Sequence, residues 1–240
     1  MFIPLHDINR VENIRFQYVT ILLILTNVFI FVYYQSGLVN TVNTEAALSF
    51  ALVPFEFLGS AAQQTNIGTQ LAPSNLMFPE YLTAITYMFL HGSWLHLIGN
   101  MMFLWVFGDN VEDAMGHFPF LIFYILCGVA GGGLHTWMTP DSQIPLIGAS
   151  GAVSGIIAAY LILHPQVRVW ILILWRIPLA VSALWALGFW IVLQFANAYL
   201  IHQDTGNVAW HAHVGGIVAG AVLILFMRRR GVRLFSNKIE

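Results

Sequence analysis

Between Phe16 and Met227 the chain runs through six stretches long or apolar enough to lie across or within a bilayer, with almost no charge inside them. A soluble domain carries about a quarter of its residues as Asp, Glu, Lys and Arg. Here 8 % of the 240 residues are charged and 58 % are hydrophobic. Such a chain cannot cover its own surface with polar groups, so lipid must cover part of it. The expected fold is all-α, a polytopic membrane protein built as one six-transmembrane-helix bundle, because the length leaves no room for a second sizeable domain. A net charge of -2 with no basic tract beside exposed aromatics argues against a nucleic-acid partner. Cys127 is alone in an apolar run, which excludes a disulfide framework. No cleaved signal peptide is expected, since the first apolar run lacks a small-residue cleavage site after it.

The expected spans are Phe16–Tyr34, a stretch from Tyr81 to Phe107 that breaks near His91–Gly92 and crosses from Ser93 onward, Phe118–Met138, Ala149–Leu163, a span ending at Leu200, and Val208–Met227. Residues 109–117 read as a polar turn, and Pro178 suggests an interfacial piece up to about Arg176 ahead of the fifth span. The resulting division is a cytoplasmic N-terminal segment at 1–15, a membrane domain at 16–227 with a long outer loop at 36–80, and a basic cytoplasmic tail at 228–240. The outer loop is expected to lie in the interface, partly helical. All nine Lys and Arg residues (Arg10, Arg15, Arg168, Arg176, Arg228, Arg229, Arg230, Arg233 and Lys238) fall on the side that six crossings assign to the termini. By the positive-inside rule both termini are expected to be cytoplasmic, with the protein in the cell membrane.

The informative residues are the polar ones a membrane should reject. His96 and Asn100 are four apart and share one helix face. They read either as an interhelical hydrogen-bonding pair or as functional groups. Ser150 begins the fourth helix in Gly148-Ala149-Ser150-Gly151, where a serine is ordinarily an N-cap. Gly151, Ser154 and Gly155 give that helix a narrow face, and Gly216 and Gly220 give the sixth helix a matching stripe beside His213. If these faces meet, Ser150 and His213 approach one another as a Ser–His dyad, with no Asp or Glu placed to complete a triad. The Asn100 amide, the His96 ring and the Ser150 backbone N–H would then be the donors for an oxyanion. About fifteen residues from Ala149 to Leu163 rise only about 22 Å, short of a hydrocarbon core of about 30 Å. Ser150 should therefore sit below the outer surface, in a cavity lined by protein or water and open to the outside.

HGSWLHLIGN (91–100), GASGAVSG (148–155) and AHVGGIVAG (212–220), in that order, closely resemble the rhomboid family of intramembrane serine proteases. The ending GNVAWHAHVGG and the opening FIPLHDINR look like the common bacterial six-span form, and the resemblance covers about residues 1–230. It implies hydrolysis of peptide bonds in or beside the transmembrane segments of other membrane proteins, so the expected partners are such substrates and the lipid bilayer. By resemblance Ser150 matches the nucleophile and His213 the general base. His96, Asn100 and the Ser150 backbone match the oxyanion site, while Gly148 and Gly151 support the turn around the nucleophile. His91 and His211 match no catalytic position and are expected to pack or make local hydrogen bonds. Two departures stand out. Ser154 occupies a position where some members carry an aromatic that stacks on the catalytic histidine, so another group must position His213. The Trp-Arg pair that many members have in the first outer loop is absent from 36–79.

Two other readings compete with a protease. One is a catalytically silent rhomboid-like protein that binds or escorts transmembrane helices, which the intact Ser150, His213, His96 and Asn100 argue against. The other is a metal or haem enzyme, prompted by nine histidines. There is no HExxH, and His211 and His213 diverge on a helix, so no metal and no cofactor is expected.

Overall fold

A computed structural model of the chain describes residues 2–39, 48–62, 79–173, 176–201 and 208–236. Much of the expected outer loop 36–80, nearly all of the 201–207 connection and the end of the 228–240 tail lie outside the described residues. The helices are α1 (Tyr18–Ile30), which widens into a π-helical turn at Phe31–Gln35, α2 (Pro54–Ala62), α3 (Glu80–Thr86), α4 (Trp94–Met115), α5 (His117–Met138), α6 (Ser150–Leu163), α7 (Ala183–Leu200) and α8 (Trp210–Met227). Four of them, α1 with its π-turn, α5, α7 and α8, are long and apolar enough to cross a membrane. The chain is a helical, multi-pass membrane protein. Helix α6 is apolar but shorter, and α4 carries Asp109, Glu112 and Asp113 in its last two turns.

Helices α5, α6 and α8 form the centre, and glycine allows it. A methyl group added at Gly216 would lie 1.9 Å from the carbonyl oxygen of Gly151, and one at Gly220 would lie 2.2 Å from that of Gly155. Gly131 and Gly215 close the contact between α5 and α8 in the same way, each 2.6 Å from an opposing backbone oxygen at the position of a Cβ. These are backbone-to-backbone contacts that no side chain can yield to, so the small-residue stripes seat α8 directly against α6.

The break expected near His91–Gly92 is present. After a 3-10 turn at Tyr87–Phe89 the chain is extended at Leu90, and Ser93 caps α4 by accepting the His96 backbone N–H at 3.2 Å. The loop 139–149 is tied by backbone bonds to other segments of the protein. Leu52 and Leu146 exchange both backbone bonds, Phe55 N–H donates to Ser142 O, and Gly148 N–H donates to Tyr87 O at 2.9 Å.

The opposite end of the bundle holds features absent from the sequence reading. Strands β1 (Phe2–Asp7), β2 (Arg168–Ile173) and β3 (Ile177–Ser182) form an antiparallel sheet in the order β1-β2-β3. Pro4 and Pro178 both fall on its edge strands, where a missing N–H is tolerated. The 168–176 piece, expected to be interfacial, is thus largely the central strand of this sheet. The expected turn at 109–117 is instead helical to Met115, and Gly116 alone, at φ 90°, turns the chain into α5. The physical reason is that the acidic residues face inward. Glu112, fully buried, accepts the backbone N–H groups of Val19 and Thr20 and the Thr20 hydroxyl, so it caps α1 from another helix. Asp113 does the same for the backbone of Glu12, Asn13 and Ile14.

Within the same end the Tyr160 hydroxyl donates to Asp7, joining β1 to the last turns of α6. Burial pushes the Asp7 carboxyl up from 3.8 to about 7, aided by the nearby Asp109 and opposed by the Tyr160 bond. Between those two values the folded chain holds a proton that the unfolded chain has lost, so stability should fall as pH rises from about 4 to about 7. Thermal unfolding in detergent across that range should show the slope in the wild type and a reduced slope in Asp7→Asn. At the bundle centre, Gly216→Ala should cost on the order of 1–3 kcal/mol as an overpacked contact. Gly133→Ala, at a helical position with nothing within 4 Å, should not lower the melting temperature.

Candidate active site

The chain enters α6 through Gly148, whose φ of +123° lies in the region that favours glycine. Ala149 takes the N-cap position and contributes no side-chain cap, so Ser150 does not act as the ordinary cap its position suggests. Its hydroxyl instead lies 2.9 Å from Nε2 of His213, in the first turn of α8. Ser150 is partly accessible while His213 is buried. The contact between Gly151, the residue after Ser150, and Gly216, three residues after His213, seats the two helix starts together beside these side chains.

The hydrogen bonds around His213 define its protonation pattern. The Gln194 side-chain Nε2–H donates to the Trp190 carbonyl at 3.0 Å, which leaves Gln194 Oε1 as the atom 2.8 Å from His213 Nδ1. An amide oxygen only accepts, so His213 Nδ1 carries the hydrogen and Nε2 presents a lone pair to the serine hydroxyl. Two indoles fix the ring plane. Trp190 lies stacked at 6.2 Å and 28°, and Trp210 stands edge-on at 5.9 Å. Ser154, the departure noted in the sequence, turns away and donates to the Ser150 carbonyl at 2.6 Å.

Helix α4 supplies the third wall. A Cβ on Gly148 would lie 2.7 Å from His96 Cε1 and Nε2 and 3.8 Å from Asn100 Nδ2, so both side chains face the turn that precedes Ser150. Asn100 Nδ2 donates one hydrogen to His91 Nε2 at 3.1 Å, which holds the amide and leaves its second N–H for another acceptor. His91, fully buried, therefore makes the local hydrogen bond expected of it. Gly151 is packed against Tyr87 Oη and the Ala212 carbonyl, where a Cβ would meet them at 3.2 and 3.4 Å.

Cys127 is buried against Gly155 in the core. Among the described residues no three His, Cys, Asp or Glu side chains are placed to hold a metal ion together. Trp190 and Gln194 were not singled out from sequence. The one available signal was a glutamine inside the apolar run 183–200, an expensive residue there unless partnered.

The family model of the Rhomboid domain matches residues 79–230. The chain belongs to the rhomboid family. It is 30 % identical over 159 residues to the Rhomboid-like protein 11, chloroplastic, of Arabidopsis thaliana, covering 63 % of this chain and 54 % of that protein. It is 26 % identical over 158 residues to Rhomboid protein 1, mitochondrial, of Saccharomyces cerevisiae, covering 61 % and 43 %. It is 27 % identical over 149 residues to the putative rhomboid protease YdcA of Bacillus subtilis, covering 60 % and 66 %. The chain thus spans about half the length of the curated relatives it matches first. All three motif stretches lie within the matched rhomboid domain.

The Gly148 turn generates its own test. Gly148→Ala adds a left-handed backbone penalty of about 1–2 kcal/mol to a methyl group that overlaps the His96 ring. The variant should melt at a lower temperature than the wild type, and histidine NMR resonances of His96 should shift. An unchanged spectrum would contradict the contact.

Proposed function

We propose that the chain is an intramembrane serine endopeptidase that cuts peptide bonds in or near the transmembrane segments of membrane-protein substrates by a Ser–His dyad. The observation that carries this reading is the 2.9 Å contact between Ser150 Oγ and His213 Nε2. A serine hydroxyl is a weak nucleophile until a base within hydrogen-bond reach removes its proton. Membership of the rhomboid family and the motif residues Ser150, His213, His96 and Asn100 add support.

In the proposed reaction Ser150 Oγ attacks the scissile carbonyl carbon as His213 Nε2 takes its proton. The negative charge that develops on the carbonyl oxygen is met by the free N–H of Asn100, the His96 ring and the backbone N–H of Ser150 at the start of α6. The C–N bond then breaks, His213 returns the proton to the leaving amine, and an acyl-serine remains. Water attacks this ester with His213 again as base, which frees the acid product and restores the hydroxyl. The acceptor that Gln194 presents to His213 Nδ1 favours the starting protonation state.

Six helices, α1, α4, α5, α6, α7 and α8, cross the membrane in this reading. Both termini face the cytoplasm, as the one-sided placement of the nine Lys and Arg residues supports. Segments 1–15 and 228–240 are then cytoplasmic flanks of a membrane domain at 16–227. The fourteen residues of α6 rise about 21 Å, so with its far end at the cytoplasmic face Ser150 lies below the outer surface. Water reaches it from the extracytoplasmic side.

Purified protein in proteoliposomes should cleave a reporter transmembrane substrate. Ser150→Ala and His213→Ala should each abolish cleavage while leaving the melting temperature near that of the wild type. Asn100→Ala should lower kcat by about 100-fold or more, as for loss of one oxyanion donor. Cleavage that persists in Ser150→Ala would overturn the proposal. Specific binding of the reporter without serine-dependent hydrolysis would instead mark a silent helix-binding protein.

A further inference from the structure

Helix α7 is held to the bundle unevenly. Its buried residues are Ala183, Ala186, Leu187 and Gln194. The three apolar ones lie in the first five residues, so beyond Leu187 a glutamine is the only residue the helix buries. Its neighbours on that half, Phe189, Val192, Leu193, Phe195, Tyr199 and Leu200, are exposed. If Gln194 served only to seat the helix, an apolar side chain would do so without the cost of taking an amide out of water. The amide is instead partnered at both of its ends. Its N–H donates to the Trp190 carbonyl within α7, which fixes the rotamer, and its oxygen is 2.8 Å from His213 Nδ1.

Among the described residues no other side chain is hydrogen-bonded to His213 Nδ1. Ser154 is turned to the Ser150 carbonyl, and every hydrogen bond to His213 from a neighbouring side chain comes from Ser150 or Gln194 among the described residues. The same helix also presents the Trp190 ring face, one turn before Gln194, to the imidazole. We propose that Gln194 is a positioning residue for His213, holding the ring as its Nδ1–H tautomer through an acceptor on α7.

The chemistry follows from the inventory of the two side chains. A neutral imidazole has one donor and one acceptor nitrogen, and only the Nδ1–H form leaves Nε2 free to take the serine proton. With the acceptor removed, the ring populates both tautomers and rotates about its χ2 angle, and part of the population presents an N–H to Ser150. The imidazolium formed during the reaction also loses a partner for its Nδ1–H. Both effects act on the chemical step and leave substrate binding alone, so kcat changes and KM does not. The loss of one such hydrogen bond, worth about 1–1.5 kcal/mol, corresponds to a fall of about tenfold in kcat. The inference rests on the proposed dyad for its kinetic consequence but not for its structural one.

The test uses full-length protein in lipid with 15N-labelled histidine. The ring nitrogen shifts of His213, assigned by comparison with His213→Ala, should report the Nδ1–H tautomer in the wild type. They should report a mixture in Gln194→Leu, with Gln194→Ala as a second acceptor-free variant should the leucine destabilise the fold. Gln194→Glu, which retains a carbonyl acceptor, should restore the tautomer and most of kcat on the reporter substrate. A pure Nδ1–H signal in the acceptor-free variants would overturn the inference, as would a Gln194→Glu variant that melts like the wild type yet behaves like the leucine one. A wild type that shows the Nδ1–H signal but hydrolyses nothing would refute the protease reading while leaving the positioning of His213 intact.

Discussion

The contact on which the site depends is a pair of bare backbones. Gly216 on α8 meets the carbonyl of Gly151 on α6, and Gly220 meets that of Gly155, at separations that exclude even a methyl group. Inside a membrane there is little hydrophobic force to bring helices together, so close van der Waals packing between small residues has to supply the association. The two helix starts that carry Ser150 and His213 sit next to these contacts. A hydrogen bond of 2.9 Å between side chains on different helices tolerates little error in the helix separation, and contacts made by backbone atoms allow little. The glycines therefore act as the rigid frame that holds Ser150 and His213 within hydrogen-bond reach.

Around that frame the molecule separates two kinds of polar group. At one end Glu112 and Asp113 spend their carboxylates on the backbone amides of α1 and of residues 12–14, and Asp7 joins the first strand to Tyr160. These bonds tie the N-terminal segment to α4 and α6 and are structural. At the other end Asn100 and Gln194 each have one hydrogen-bonding atom engaged by protein and another left for the Gly148 turn or for His213. Asn100 gives one N–H to His91 and keeps one; Gln194 gives its N–H to Trp190 and offers its oxygen to His213. Half-committed groups are oriented without being neutralised, which is the arrangement an electrostatic site needs.

Much of this was legible because helices write their neighbours into short spacings. The four-residue separation of His96 and Asn100 and the small-residue stripes at 151/155 and 216/220 specify faces, and faces specify which side chains converge. The helix break at His91–Gly92 was visible for the same local reason. The rest was hidden because its cause is distant in the chain. The strand Arg168–Ile173 reads as an apolar interfacial piece until its partner at residues 2–7 is known. The acidic residues at 109–113 read as a turn until the amides they cap, about ninety residues earlier, are seen. Gln194 is one polar residue on a helix whose sequence does not say which side faces His213, and the stacking aromatic that Ser154 lacks is supplied instead by Trp190 from a different helix.

The central claim is that Ser150, and no other hydroxyl of the chain, is made nucleophilic by His213. The most direct measurement is covalent labelling of the protein in lipid with a fluorophosphonate probe, followed by peptide mass spectrometry of the 148–164 region. The account predicts a single adduct on Ser150, absent in His213→Ala and absent from Ser154 in every variant. An adduct on Ser154, or one on Ser150 that survives the loss of His213, would contradict it.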